Sequence, residues 1–294
     1  MITYAAGAML PRLKRMWRTC FEDTEQGADL VFSRLLTPGQ MLVWADNSGR
    51  PVGMVNWKLL RFTTPRTSFV GAYVFGVATL PEYRGRGISR GLMSELHTVL
   101  SDSGAALACL VPASPSLFEF YARQGFESFF SRKQISVEES LVPVPSGKGV
   151  LAPARLPRLE ALRGEAFGDS ALFGAWDSPW LDYTDRECRL QGGETLRFTC
   201  RGKTGYCVCR PEQGGTLLVR EAAIDKEDLA ALVCALHDRY NARRYELRFP
   251  KDFPAGELPC DILPFGMVKW YDEEKRRLVM GGMGGAPWFA FGLD

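Results

Sequence analysis

Apolar positions along the chain fall first into helical and then into extended periods. Spacing of three and four residues predicts two short helices over 8–22 and 25–36, with Trp17, Phe21, Leu30 and Phe32 on their apolar sides. The acidic stretch Glu22-Asp23-Thr24-Glu25 separates them, and Thr24 stands where it can cap the second. Extended apolar runs follow at 40–45 and 52–60, joined through Asp46-Asn47-Ser48-Gly49, residues that tolerate left-handed backbone. A third run, 69–78, leads into Arg84-Gly85-Arg86-Gly87. There Ile88, Leu92, Leu96 and Leu100 recur every fourth position and predict a helix with one buried stripe. A buried strand at 105–111, a short helix at 116–123 and a strand at 127–136 complete this part.

Periodicity then breaks. Residues 141–157 carry clustered prolines and glycines and read as a linker. Beyond it a helix at 158–167, strands at 195–200, 205–209 and 216–222, a helix at 227–241 and strands at 245–249 and 267–271 restart the order. Aligning His97 with His237 gives an offset of 237 − 97 = 140, and Gly125 with Gly266 gives 266 − 125 = 141, an internal repeat. Residues 1–140 are therefore read as one domain and 158–294 as a second. The two histidines are read as packing residues of the shared helix.

The stretch 77–93 carries the chemistry. Glycines at 85 and 87 let the backbone turn sharply and come close to a ligand, and the orphan amides of the following helix, at the positive end of its dipole, suit a phosphate. Arg84 and Arg86 add forks that match phosphate oxygens. The stretch lacks the lysine of a P-loop and the third glycine of a dinucleotide fold. In the second copy Ala223-Ile224-Asp225-Lys226-Glu227-Asp228 stands in the same place, where carboxylates act as caps and repel an anion. Pro259 and Pro264 break the counterpart of helix 116–123.

The 36 basic and 34 acidic residues leave a net charge of +2, so global charge points neither to nucleic acid nor to an anionic membrane. No run approaches the roughly 18 apolar residues of a membrane span, and residues 1–18 lack a signal-peptide core, which places the chain in the cytoplasm. Eight cysteines without a Cys-x-x-Cys pair, with only two histidines, give no reason to expect a metal or a disulfide framework.

Arg84-Gly85-Arg86-Gly87-Ile88-Ser89 resembles the pyrophosphate-binding signature of the GNAT N-acetyltransferase superfamily, with Ser in its last small position. Phe120-Tyr121-Ala122-Arg123-Gln124-Gly125-Phe126 is similar to the family's Tyr-x-x-x-Gly-Phe, and the resemblance extends over about residues 1–137. It implies an α/β fold with a mixed sheet, made of two tandem GNAT-like domains of which the second is degenerate. Such a tandem resembles the enhanced-intracellular-survival type of acetyltransferase, although the chain looks too short for the further carrier-like domain of those proteins.

The resemblance also implies a reaction: direct transfer from acetyl-CoA to a primary amine, without a metal. Val77, Ala78, Thr79, Arg84, Gly85, Arg86, Gly87, Ile88, Ser89 and Ser114 would bind the cosubstrate, and Tyr121 would protonate the departing thiolate. A buried Cys109 with no adjacent histidine gives no support to a covalent intermediate. A small-molecule or peptide amine is the expected partner, with homo-oligomers left open and no nucleic acid or membrane. An amine of pKa near 10.4 arrives protonated, so Glu22 and Glu25 are candidates to hold it or accept its proton. The terminal carboxylate at Asp294, behind Trp288-Phe289-Ala290-Phe291, is another. The competing expectation is a CoA-binding sensor or scaffold without turnover, its second domain mediating protein interaction.

Overall fold

The computed structural model describes residues 1–282 and 284–293, with every side chain among them except that of Leu156. The first half runs β1 (Ile2–Tyr4), α1 (Leu10–Phe21), α2 (Glu25–Arg34), β2 (Met41–Ala45), β3 (Pro51–Thr63), β4 (Ser68–Thr79), α3 (Ile88–Asp102), β5 (Leu107–Leu110), α4 (Pro115–Ala122) and β6 (Glu127–Glu138). The second runs β7 (Val150–Pro153), α5 (Leu156–Phe167), β8 (Phe173–Ala175), α6 (Ser178–Leu190), β9 (Glu194–Cys200), β10 (Lys203–Glu212), β11 (Thr216–Ala223), α7 (Leu229–Tyr240), β12 (Arg244–Pro250), β13 (Cys260–Trp270) and α8 (Glu273–Met280). The Thr24 hydroxyl accepts from the Gly27 amide at 2.9 Å, the cap its sequence position predicts.

All strands join one mixed sheet in the order β1-β2-β3-β4-β5-β13-β6-β12-β11-β10-β9-β7, with β8 added on β3. The order crosses over at its centre. β6, the last strand of the first half, pairs antiparallel with β12 of the second, while β13 from the far end pairs with both β5 and β6. The halves therefore exchange their last strands, which joins two sheets that would otherwise each end on an open edge there.

Three parts of the sequence reading change. The proline-rich stretch 141–157 contains β7, an edge strand where Pro153 tolerates its missing donor. β13 begins at Cys260 rather than 267, because bulges between Pro264 and Met267 carry the proline through the ladder. α6 and α8 lie outside the elements that periodicity predicts, although Asp177 followed by Ser178 and Pro179 is a helix-start signal; the Asp177 carboxylate accepts from the Trp180 amide at 3.1 Å.

Side chains alternate along β4, with Ala72 and Val74 under α3 and Tyr73 and Phe75 on the other face under α1. The α3 face is packed by Leu92, Leu96 and Leu100, all fully buried, and α7 packs Leu232 and Leu236 against β11 and β12 in the same manner. The opposite face holds a cluster shared by both halves. Met16, Trp17 and Val31 from the first half meet Trp176, Trp180 and Tyr183 from the second, and Trp288 to Phe291 runs through the middle. Among the described residues no helix is long and apolar enough to cross a membrane.

Candidate active site

The site begins where β4 and β5 part. They are paired only at Ala72 with Ala108 and Tyr73 with Cys109, so the facing edge of β4 is left open over its last six residues, 74–79. A bulge drives the separation. Val55 of β3 faces two residues of β4, Gly76 and Val77, because the register shifts between the pairs Met54–Ala78 and Asn56–Phe75. Gly76 is left-handed at φ +57°, and a Cβ there would stand 2.5 Å from the Trp17 ring.

At the end of β4 the chain makes a tight turn through Pro81–Tyr83 into α3. Gly85 and Gly87 have φ of +76° and +77°, and Gly87 occupies the N-cap with no side-chain cap and no acid in the first turn. The first intrahelical bond runs from the Gly91 amide to the Gly87 carbonyl, at 2.9 Å, so the amides of Ile88, Ser89 and Arg90 stand ahead of it at the positive end of the helix. Thr79 and Ser89 hydroxyls meet at 2.8 Å and tie the strand end to the helix. Arg84 donates to the Thr79 carbonyl at 3.3 Å and Arg86 to the Glu82 carbonyl at 3.0 Å, both side chains lying on the exposed side of the turn. The turn can cradle an anion between backbone amides and two guanidinium groups.

Tyr121 lies on α4 with 8% of its surface exposed, against Phe120 and Phe126. Burial pushes its phenol up to about 12, so the hydroxyl keeps its proton throughout the physiological range. Gly125, at φ +87°, turns the chain back to the core at Phe126, as its sequence position predicts. Ser114 precedes α4 and lines a cavity of about 690 Å³ with Val111, Phe118, Arg132, Arg248 and Phe265. Phe118, about one turn before Tyr121, shares its side of α4 by helical spacing.

The acidic stretch between α1 and α2 divides into two exposed acids and one that turns inward. Glu22 is the left-handed end of α1 at φ +53° and exposed, and Glu25 is exposed with its carboxylate 3.9 Å from Arg18. Asp23, between them, is the one that turns inward, half-buried and accepting from Trp17 Nε1 at 3.0 Å. Gly27 leaves room for it, since a Cβ there would stand 2.1 Å from Asp23 Oδ1. The hydrogen bond to Trp17, six residues back, sets Asp23 apart from its two neighbours.

Asp294 lies outside the described residues. The tail before it is anchored at each step: Trp176 Nε1 donates to the Ala290 carbonyl, Trp180 Nε1 to that of Phe291 at 3.0 Å, and Arg220 Nη2 to that of Gly292 at 3.0 Å. The Leu293 amide reaches Tyr73 Oη at 2.8 Å. The tail end thus lies against β4, beside the open edge of that strand.

The second half lacks this chemistry. Asp228 stands at the N-terminus of α7, 2% exposed and bonded to Arg201 at 2.8 Å, while Lys203 pairs with Asp225. The neighbouring cavity of about 510 Å³ is lined by Glu165, Asp169, Asp225, Asp228 and Asp252 against Lys203, the one cation among the described residues that line it, a charge balance unfavourable to phosphate. At the matching irregularity of β11 the extra residue is Arg220, followed by Glu221. Glu221 is fully buried, takes a bidentate bond from Arg163 at 2.7 and 3.1 Å, and accepts from Trp288 Nε1 at 2.7 Å. A buried ion pair thus stands at this bulge, where the bulge of β4 has Gly76.

Residues 2–129 match the family described as the acetyltransferase (GNAT) domain. The fold is similar to that of a protein from Enterococcus faecalis V583 described as a probable N-acyltransferase, with TM-score 0.74, 18% identity and coverage of 94% of this chain and 73% of that one. It is similar to a GCN5-related N-acetyltransferase from Anabaena variabilis, with TM-score 0.77, 14% identity and coverage of 94% and 74%. It is also similar to Eis1 from Mycobacterium abscessus, with TM-score 0.69, 19% identity and coverage of 95% and 76%. No curated protein matches the chain.

Proposed function

From the premise that residues 2–129 form a GNAT acetyltransferase domain, we propose that the protein transfers an acetyl group from acetyl-CoA to a primary amine. The observation that carries this reading is the acid-free, glycine-capped start of α3 at the end of a strand that has separated from its neighbour. The diphosphate takes the amides of Ile88, Ser89 and Arg90 together with Arg84 and Arg86. The pantetheine arm lies along the open edge of β4, where backbone groups are free to pair with its amides, and passes Ser114 toward Tyr121. The second half, with acids and a buried ion pair at the matching positions, binds no CoA.

The uncharged amine attacks the thioester carbonyl, and the oxyanion is met by a backbone amide of the stretch Val77 to Thr79. The new carbon–nitrogen bond forms as the carbon–sulfur bond breaks. Sulfur leaves with the electron pair and takes the proton of Tyr121, the ammonium gives its proton to solvent, and solvent returns one to the phenolate, so that Tyr121 is again neutral for the next turnover. A neutral tyrosine suits this role, since a hydroxyl that keeps its proton can donate to a developing thiolate. Asp23, rather than Glu22 or Glu25, holds the amine as a cation before it loses its proton, because it alone of the three turns inward.

A calorimetric titration with CoA, followed by thiol-release assays over a panel of amines, tests the reading. One binding site and preference for cationic amines are expected, with Asp23→Asn raising their KM at least tenfold and Glu22→Gln and Glu25→Gln having smaller effects. No CoA binding would overturn the whole reading, and an Asp23→Asn enzyme indistinguishable from wild type would remove the acceptor assignment.

A further inference from the structure

Asn56 is the polar exception in a run of seven buried residues, Pro51 to Trp57, on β3. It is fully buried on the α1 face of the sheet, its Nδ2 donates to the Gly76 carbonyl at 3.2 Å, and its Oδ1 has no hydrogen-bond partner among the described residues. The amide orientation is fixed by this bond, since the reverse would set two oxygens against each other. A side chain kept for packing alone would be apolar here, because a buried acceptor left without a partner is destabilising. What remains is its donor half.

The Gly76 carbonyl belongs to the same peptide group as the Val77 amide. A trans peptide is planar, so its C=O and N–H point in opposite directions, and holding one aims the other. Gly76 is the left-handed residue of the bulge, and its glycine freedom would let this peptide turn over if nothing held it. Two groups restrain it: the Asn56 amide, 2.8 Å from where a Gly76 Cβ would stand, and the Trp17 ring at 2.5 Å. Trp17 is in turn tied to Asp23 through its Nε1.

Resting on the acetyltransferase reading, we propose that Asn56 is a positioning residue for acyl transfer, which fixes the Gly76–Val77 peptide so that the Val77 amide is aimed at the thioester oxyanion. Trp17 and Asp23 extend the same restraint to the loop between α1 and α2, so the wall that takes the amine and the donor that takes the oxyanion are held by one network. Asn56 touches neither substrate.

The test compares wild type with Asn56→Leu, which keeps the volume and removes the donor, and with Asn56→Asp, which at pH 8 sets a carboxylate against the carbonyl. Steady-state kinetics, CoA titration and melting temperature are measured for each. The expected result is a fall in kcat of about 10²-fold for Asn56→Leu, the size of loss that follows misplacement of a reacting group, with more for Asn56→Asp. The CoA dissociation constant and the KM for the amine should stay within about threefold of wild type, a split that a merely structural role would not produce. Should Asn56→Leu fail to fold, Asn56→Ser, too short to reach the carbonyl, makes the same comparison. A folded variant with wild-type kcat, or one in which kcat and CoA affinity fall together, overturns the inference and leaves the acetyltransferase reading standing. A wild-type protein that neither binds CoA nor transfers acetyl overturns both.

Discussion

The backbone amide of Leu293 donates to Tyr73 Oη at 2.8 Å, joining the end of the tail to the strand that opens the site, 220 residues away in sequence. Tyr73 also stacks on Phe75 and meets Trp176 and Trp180 edge-on, so its ring is fixed by residues of both halves. Tyr73→Phe keeps the ring and removes the acceptor. Stability should fall by about 1–3 kcal/mol, the range for leaving a buried group unpaired, measured by urea unfolding. A variant as stable as wild type would mean that the tail is held by its tryptophan and arginine contacts alone.

Binding of CoA should be confined to the first half. Arg84→Glu should weaken it well over tenfold, since a charge-assisted bond is worth about 1.5–3 kcal/mol and the substitution adds repulsion. Gly87→Asp should weaken it too, by placing a carboxylate at the helix start and a side chain at φ +77°. Calorimetry with two equivalent sites in wild type would contradict the assignment.

Tyr121→Phe should lower kcat by about 10²–10⁴-fold with little change in CoA affinity. In wild type the rate should rise with pH as the amine loses its proton. No alkaline decline from Tyr121 is expected below pH of about 12, where its buried phenol ionises. A descending limb near pH 10 in wild type that disappears in Tyr121→Phe would show instead that the phenol titrates at its ordinary value.

The buried pair Arg163–Glu221 should be costly to break from one side. Glu221→Gln leaves Arg163 buried without its counter-charge, and a loss of about 3–5 kcal/mol is expected. The double variant Arg163→Met with Glu221→Leu should recover only part of it, because the Trp288 Nε1 and Tyr206 hydroxyl donors stay buried without their acceptor. Chemical denaturation of the three proteins measures this directly, and equal stability of Glu221→Gln and wild type would count against it.

His97 should contribute an acid slope to the stability curve. Burial, with Lys269 adding to it, lowers its pKa to about 4, and its Nδ1 meets Tyr271 Oη at 2.7 Å. The unfolded chain takes up a proton near 6.5 while the folded protein resists until about 4, so this contribution is complete above pH 6.5 and is lost as the pH falls from there to 4. Melting temperature should drop across that window, and His97→Gln should flatten the slope. An unchanged slope would assign the effect to other groups.

Local order determined much of this molecule. The stripe of Ile88, Leu92, Leu96 and Leu100, the Thr24 cap, the glycine turn ahead of α3 and the left-handed Gly125 each depend on neighbours within a few residues, so their types and spacing were enough. The same holds for the loss of the cradle in the second half, where carboxylates replace glycines at one helix start. Contacts distant in sequence were decided only by the tertiary structure. Which strand lies beside β5 depends on strand pairing between residues over 150 positions apart, and neither β6 nor β13 carries a local mark of its partner. Asn56 finds an acceptor because a bulge on another strand brings the Gly76 carbonyl to it, and even Asp23 turns inward only because the chain reverses after α1 and returns it to Trp17. Hydrogen bonds of this kind depend on where the chain has already folded, and residue type alone does not show which of several acids or amides will find a partner.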